Sequence, residues 1–166
     1  MGEYILFASV CRILFVSILI VLSAGCQRTE RLLIESPGQV NHSVFLGQAR
    51  DFSLKFIHSV EKTPVIENFH IREDGKFILI SSLYRSYGVG LPTLPDEGKL
   101  TISADGWFLL ENMNREFQDI RVRVGPEAKL ILKYEKKEYP LFEWYPPGSL
   151  VIIRKEFGSV WRTDVD

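Results

Sequence analysis

Apolar and polar residues alternate along much of this chain with the two-residue period of β-strands. Three consecutive segments show the pattern best, namely 52–59, 65–72 and 76–84. Asp74-Gly75 separates the last two segments, and both residues tolerate the positive φ angles of a tight hairpin turn. The pattern therefore predicts an antiparallel meander of three strands, with the third strand in the interior of a sheet because it is apolar on both faces at its start.

Further short apolar or alternating runs are separated by residues that favour turns. They cover 32–34, 44–46, 99–103, 107–110, 120–124, 129–133, 139–144 and 150–153. The polar segment 111–119 is compatible with one helical turn, and no long helix is predicted. We expect an all-β domain of about eight to ten short strands, built as an antiparallel β-sandwich or a partly closed barrel.

The N-terminal residues have a different composition from the rest of the chain. Arg12 precedes an apolar run over 13–22, and Ser23-Ala24-Gly25 leads directly to Cys26. A basic residue, a short apolar run and small residues before a cleavage site are typical of a secretory signal. Small residues before a cysteine also resemble the lipobox of bacterial lipoproteins, and the resemblance implies cleavage before Cys26 and lipidation of its thiol.

An uncleaved transmembrane anchor is the alternative to a lipoprotein signal. The run after Arg12 is shorter than the roughly 20 residues that a full span needs, and a longer span would bury Arg12 in the bilayer. The predicted organisation is a signal peptide over 1–25, a tether over 26–31 and a single domain over 32–166. Both alternatives place the domain outside the cytoplasm, in the cell envelope and anchored to a membrane.

Composition narrows the classes of function. The 166 residues carry a net charge of −1, with 46% hydrophobic and 25% charged residues, which is ordinary for a globular protein and gives nucleic acid no basic surface. The only cysteines are Cys11 and Cys26. The domain itself therefore has no disulfide, no thiol nucleophile and no cysteine ligand for a metal, and we expect no cofactor.

The meander brings one set of polar residues to one edge of the sheet, which we call the rim. The end of the first strand, the start of the second and the end of the third should meet there, and rim loops often carry function. The candidate residues for binding a ligand or a partner are His58, Ser59, Glu61, Glu67, Arg85, Gly88, Gly90, Asn114 and Arg115.

These residues support more than one interpretation. Imidazole and carboxylate groups suit the recognition of a ligand or partner, or a metal ion. The chain has no His-x-His or His-x-x-x-His spacing, so no metal ligand is assigned. In a purely structural role, His58 hydrogen bonds to the backbone of its turn, and Glu61 and Glu67 pair with Lys62 or Arg85.

Several short motifs along the chain resemble those of one protein family. In order they are His58-Ser59-Val60-Glu61 with Pro64 and Glu67, Gly88-Val89-Gly90-Leu91-Pro92, Asn114-Arg115, Arg123-Val124-Gly125 and Pro147-Gly148-Ser149-Leu150-Val151. Over 52–157 they resemble the bacterial domain-of-unknown-function family numbered 1850, whose members are small exported proteins often encoded beside TRAP-type transporters that use a TAXI-type solute receptor. The resemblance implies an accessory role near such a transporter and no established activity. Val89 stands where the family usually has a smaller residue.

The sequence is therefore compatible with three functions. The first is a membrane-tethered accessory protein that binds a transporter subunit or its solute receptor. The second is a small metal-dependent or carboxylate-using hydrolase built on His58, Glu61 and Glu67, although the chain has no Gly-x-Ser-x-Gly nucleophile elbow. The third is a structural lipoprotein of the cell envelope.

Overall fold

The computed structural model describes residues 27–86 and 98–160, which form eleven β-strands and one short helix. The strands are β1 (Gln27–Glu35), β2 (His42–Leu46), β3 (Asp51–Ile57), β4 (Pro64–Ile71), β5 (Phe77–Tyr84), β6 (Lys99–Ile102), β7 (Phe108–Phe117), β8 (Ile120–Arg123), β9 (Ile131–Tyr134), β10 (Lys137–Pro140) and β11 (Leu150–Val160). The helix α1 (Leu141–Trp144) lies between β10 and β11.

The described strands form two antiparallel sheets, and neither sheet closes into a barrel. One sheet has four strands in the order β2-β1-β11-β8, and the other has seven in the order β10-β9-β3-β4-β5-β7-β6. The prediction of an all-β antiparallel sandwich is therefore confirmed. The predicted interior position of the third meander strand is also confirmed, because β5 lies between β4 and β7.

The core is one cluster to which both sheets contribute apolar side chains. The four-stranded sheet supplies Leu32, Ile34, Val44, Val151 and Ile153, and the seven-stranded sheet supplies Phe52, Leu54, Val65, Phe69, Ile71, Phe77, Leu79 and Leu132. On each strand the core residues occupy alternate positions, because successive strand side chains point to opposite faces. We call the face of the seven-stranded sheet that contributes to this core its inner face.

The register of β3 and β4 defines two opposite ends of the domain. Ile57 pairs with Pro64 at one end, next to the turn 58–63, and Asp51 pairs with His70 at the other. The eight residues of β4 span roughly 23 Å at the usual rise of a strand. We keep the name rim for the end that carries the turn 58–63.

Glu30 lies at the end opposite to the rim. The amide of Ile71, the last residue of β4, donates to the carbonyl of Arg50 at 2.7 Å. The Arg50 guanidinium in turn pairs with the Glu30 carboxylate. Glu30 therefore lies at the end of its compact unit that is remote from the turn 58–63.

The first strand, β1, begins earlier than the apolar run 32–34 predicts. Residues 27–31 belong to β1 instead of a loop, because the strand extends further in the N-terminal direction than the apolar run 32–34. Residues 30–157 form one compact unit. The two chain ends form a second unit, in which the described residues include Thr29 and Gly158, and the Thr29 hydroxyl donates to the Gly158 carbonyl at 3.1 Å.

The predicted signal segment and Cys26 lie outside the described residues. Among residues 27–86 and 98–160, no helix is both long and apolar enough to cross a membrane.

The segment 111–119, whose sequence is compatible with one helical turn, is not helical, because β7 continues through most of it. Its pairing with β5 is interrupted between Glu111 and Arg115. Asn112 and Asn114 have positive φ angles of 60° and 47°, and Met113 between them is buried. Asparagine tolerates this left-handed conformation better than most residues, so the polar segment forms a bulge within a strand.

Tyr145 connects the segment after α1 to the four-stranded sheet. Its side chain is 1% exposed, and its hydroxyl donates to the Ile34 carbonyl at 2.8 Å. Burial raises the pKa of this hydroxyl, so the group is a neutral donor at physiological pH. The bond holds α1 and the following loop against β1.

We expect Tyr145→Phe to lower the free energy of unfolding by about 1 kcal/mol, because the buried hydrogen bond is lost while the ring is kept. Urea unfolding measures the change. Tyr139→Phe is the matched control, because this half-buried ring on β10 also loses only a hydroxyl. A loss of stability no larger for Tyr145→Phe than for Tyr139→Phe would contradict the anchoring role.

Candidate functional site

The turn 58–63 at the rim is fixed by hydrogen bonds from its first residue. The His58 amide donates to the Thr63 carbonyl at 2.8 Å, and the Lys62 amide donates to the His58 carbonyl at 3.0 Å. The Nδ1 atom of His58 accepts the Glu61 amide at 3.1 Å. Because His58 is itself buried, it acts as a cap inside the turn, as the structural interpretation of the sequence expected.

Glu61 connects this turn to the end of β5. Its carboxylate accepts a hydrogen bond from the Ser86 hydroxyl at 3.1 Å. Lys62 instead pairs with Glu127, which lies in the turn before β9. The expected pairing of Glu61 with Lys62 or Arg85 is therefore not found, and a serine that the sequence did not single out takes that place.

Arg85, which follows β5, contacts the neighbouring hairpin between β6 and β7. Its guanidinium carbon lies 5.4 Å from the centre of the Trp107 ring, and its Nη2 atom donates to the Asp105 carbonyl at 3.4 Å. A cation over an aromatic face is a favourable arrangement at an exposed site. The rim therefore holds an ordered carboxylate at Glu61 and an ordered guanidinium at Arg85.

Other segments that carry the predicted motifs are joined by hydrogen bonds at the same end of the domain. The Gly148 amide donates to the Val124 carbonyl at 2.6 Å, and the Val124 amide donates to the Ser149 carbonyl at 3.0 Å. The Arg123 guanidinium donates to the Gly148 carbonyl at 3.1 Å. The Ile57 amide also donates to the Ala128 carbonyl at 2.7 Å. These bonds join three turns into one rigid support for the rim.

Glu67 does not lie at the rim with His58 and Glu61. In the sheet it pairs with Leu54 on β3 and Ser82 on β5, further along β4 from the turn. Both of these neighbours are fully buried, and Glu67 itself is half-buried on the inner face. The alternating sequence pattern predicts that Glu67 shares a face with the core residues of β4. Its position along the strand separates it from the rim.

Burial raises the pKa of the Glu67 carboxyl, and the positive charge of Arg115 opposes this shift. Arg115 is exposed on β7, and its guanidinium carbon lies 5.8 Å from the centre of the Phe117 ring. Asn114 precedes it in the β7 bulge. Arg115 and Glu67 thus interact electrostatically, and neither residue lies in the turn at the rim.

The remaining candidate residues occupy other positions. Ser59 is exposed within the turn 58–63. Gly88 and Gly90, like Cys26, lie outside the described residues. In the described part of the chain, no three His, Cys, Asp or Glu side chains are grouped so that they could hold a metal ion.

Sequence reasoning did not single out Ser82 or Ser86. The pair Ser81-Ser82 interrupts the apolar β5 segment, and that interruption was a readable signal. Ser82 is fully buried, and its hydroxyl is one of the buried side-chain groups that lack a hydrogen-bond partner. Ser86 had no such signal, because its partner Glu61 lies on a different strand connection.

We expect His58→Ala to lower the free energy of unfolding by about 1–2 kcal/mol, because the buried turn loses the acceptor for the Glu61 amide. His58→Asn should recover part of this loss, since its side-chain oxygen can accept a local backbone amide. Urea unfolding compares the two variants. Equal losses for both substitutions would show that His58 contributes through packing and not through the acceptor at Nδ1.

We expect Glu67→Gln to raise the free energy of unfolding at pH 7. The folded chain raises the pKa of Glu67 above 4.5, so ionisation at neutral pH favours the unfolded chain. The gain should disappear below pH 4.5, where both states bind the proton. Urea titrations at several pH values measure it, with Glu138→Gln on β10 as an exposed control. A loss of stability at pH 7 would mean that the carboxylate makes a favourable contact.

One family model matches the strands that form the rim and the strand that carries Glu67. A model of the family described as Domain of unknown function (DUF1850) matches residues 52–141, which include the turn 58–63, Glu67, Arg85 and Arg115. No curated protein and no solved structure gives a significant match. The match covers more than half of the 166 residues, and the chain therefore belongs to the family Domain of unknown function (DUF1850).

Proposed function

We propose that this protein is a lipoprotein of the cell envelope that presents its rim to a component of a TRAP-type transport system. The bacterial lipobox resemblance at Cys26 and the implied association with TAXI-type transporters motivate this proposal. The partner is a transporter subunit or the solute receptor. The protein's role is to bind that partner, and no reaction is assigned to the rim.

The observation that carries the proposal is the position of the rim relative to Glu30. An anchor on Cys26 attaches to the chain four residues before Glu30, and Glu30 lies at the end of the domain opposite to the turn 58–63. The rim therefore lies roughly 23 Å from the end of this unit that carries Glu30, a separation estimated from the length of β4. A partner beside the membrane can then reach the rim.

The chemistry of the rim also fits a protein partner. Val60 is 63% exposed at the tip of the turn. Glu61 follows Val60 in the chain and is held by Ser86. Arg85, next to Ser86 in sequence, is held over the Trp107 ring. An apolar contact surrounded by ordered charges is typical of a specific interface, and little conformational entropy is lost when such a surface binds.

We expect affinity purification from native membranes in mild detergent to recover a transporter subunit or the solute receptor with the wild-type protein. Val60→Asp should reduce the recovery at least tenfold, because it places an unpaired charge in the apolar contact. Mass spectrometry with an isotope-labelled standard quantifies the recovered partner.

Phe45→Asp is the matched control. Phe45 is 61% exposed and pairs with Arg31 on β1, so it lies at the end that carries Glu30. It should retain wild-type recovery. Equal recovery from both variants would refute the rim as the interface, and absence of any transporter component with the wild type would refute the transporter link. A Cys26→Ser variant that stays in the membrane fraction would refute the lipid anchor.

A further inference from the structure

The strand β6 is one edge of the seven-stranded sheet, and no other strand of the described part of the chain pairs with its outer side. All four residues of β6 are exposed. Leu100 lies opposite Leu110 of β7 and therefore shares the inner face with this core residue. Ile102, two residues further along, lies on the same face. Leu110 is 2% exposed, whereas Leu100 and Ile102 are 38% and 57% exposed, so the apolar inner face continues from the core to this edge.

The backbone groups of β6 alternate in direction. Just after the strand, the Ser103 amide donates to the Trp107 carbonyl at 2.8 Å. The register with β7 continues one-to-one from this pair along the whole strand, and antiparallel pairs alternate between bonded and non-bonded positions. Thr101 is therefore bonded to β7. Leu100 and Ile102 direct their amides and carbonyls away from the sheet.

Two other sheet edges carry residues that discourage pairing with a further strand. The edge strand β10 contains Pro140 and the charged residues Lys137 and Glu138. The edge strand β8 carries Arg121 and Arg123 among its four residues. Proline and charged side chains are the usual means by which an edge strand avoids pairing with another chain.

The fourth edge strand, β2, is contacted near both of its ends. The His42 ring stacks on the Trp144 ring with their centres 4.3 Å apart, and the Gly47 amide donates to the Tyr134 hydroxyl at 2.7 Å. The strand β6 has no proline, and Lys99 is its one charged residue. Among the edges in the described part of the chain, β6 is therefore the one best suited to accept a further strand.

We propose that β6 binds an extended segment of a partner protein, which adds to the sheet as an antiparallel strand. The backbone of the segment would form hydrogen bonds with Leu100 and Ile102, and its apolar side chains would lie opposite theirs on the inner face. An acidic residue of the segment would lie opposite Lys99 and supply the opposite charge. Read from its N-terminus, the segment therefore has the pattern apolar, any residue, apolar, acidic.

A partner that contacts the rim can extend this segment along β6, because Arg85 of the rim contacts the hairpin that follows β6. The strand pairing rests on the proposed rim interface for the remaining contact area. Four paired residues are far fewer than the roughly 20–30 residues that each side of a stable interface contributes. For the same reason, two copies of the chain joined only through β6 would not form a stable dimer.

The test uses the full isotope-labelled chain in detergent micelles and the peptide acetyl-Thr-Val-Thr-Val-Glu-Thr-amide, which carries the expected pattern. NMR follows amide hydrogen exchange, corrected for intrinsic rates. In the free chain, Leu100 and Ile102 should exchange at least tenfold faster than Thr101, whose amide is bonded to β7. Saturating peptide should slow exchange at Leu100 and Ile102 at least tenfold and leave Thr101 unchanged.

Two variants at one position assign the binding to this edge. Ile102→Pro removes one outward donor, a change that an edge strand tolerates, and Ile102→Lys places a charge in the apolar row. Each should weaken peptide binding at least tenfold while the Thr101 amide stays protected, which shows that β6 is still paired with β7. Val60→Asp is the control and should bind the peptide as the wild type does, because Val60 lies in the turn 58–63.

The contribution of Lys99 is measured with a second peptide in which glutamine replaces the glutamate. The wild type should bind this peptide about two- to fivefold more weakly, as expected for an exposed ion pair. Lys99→Gln should bind both peptides equally.

Protected Leu100 and Ile102 amides in the free chain would overturn the proposal, because the edge would already be covered. Protection that grows with protein concentration would also overturn it and would assign the edge to a second copy. Peptide binding that neither Ile102 variant weakens, or no saturable binding at all, would have the same consequence. None of these outcomes involves Val60, so the rim interface keeps its own test.

Discussion

The antiparallel register of β3 with β4 is the constraint on which the other features depend. The hydrogen bond from the His58 amide to the Thr63 carbonyl closes the turn so that Ile57 faces Pro64. A slip of one residue would turn Val65 and its alternate neighbours outward, and each large apolar side chain lost from the core costs about 1.5–3 kcal/mol. The same register carries Glu67 onto the inner face. A single turn thus determines both the rim and the place of Glu67 on the inner face.

Much of the fold could be predicted from alternation and turn chemistry, because both depend on neighbouring residues. The meander of β3, β4 and β5 and the hairpin at Asp74-Gly75 are local features of this kind. The prediction failed where tertiary structure overrides local pattern. Residues 111–119 look like a polar loop, but pairing with β5 holds them in β7 around two left-handed asparagines. The start of β1 lacks an apolar run, and its extension depends on its neighbours in the four-stranded sheet.

The candidate site was only partly predictable for a related reason. Sequence order indicates which strand ends meet, and that was sufficient to bring His58 and Glu61 to the end of β5. Sequence order does not give the register between strands, so it could not separate Glu67 from the rim or place it opposite Ser82. The contact between Glu61 and Ser86 joins two separate connections, and no local pattern encodes such a pair.

Lys155 is a nearly buried cation that is paired within the domain. Its side chain is 1% exposed, and its Nζ atom lies 3.0 Å from the Glu30 carboxylate. A hydrogen bond from Arg50, with support from Lys155, holds the pKa of Glu30 below its usual value although burial opposes the shift. The charges near β1 are therefore neutralised by residues of the chain. Glu67 is desolvated as well, yet its pKa moves in the opposite direction, because the charge of Arg115 only partly opposes the effect of burial. Glu30 and Glu67 thus differ in the direction of their pKa shift, because of the two only Glu30 is contacted by cations closely enough to outweigh the effect of burial.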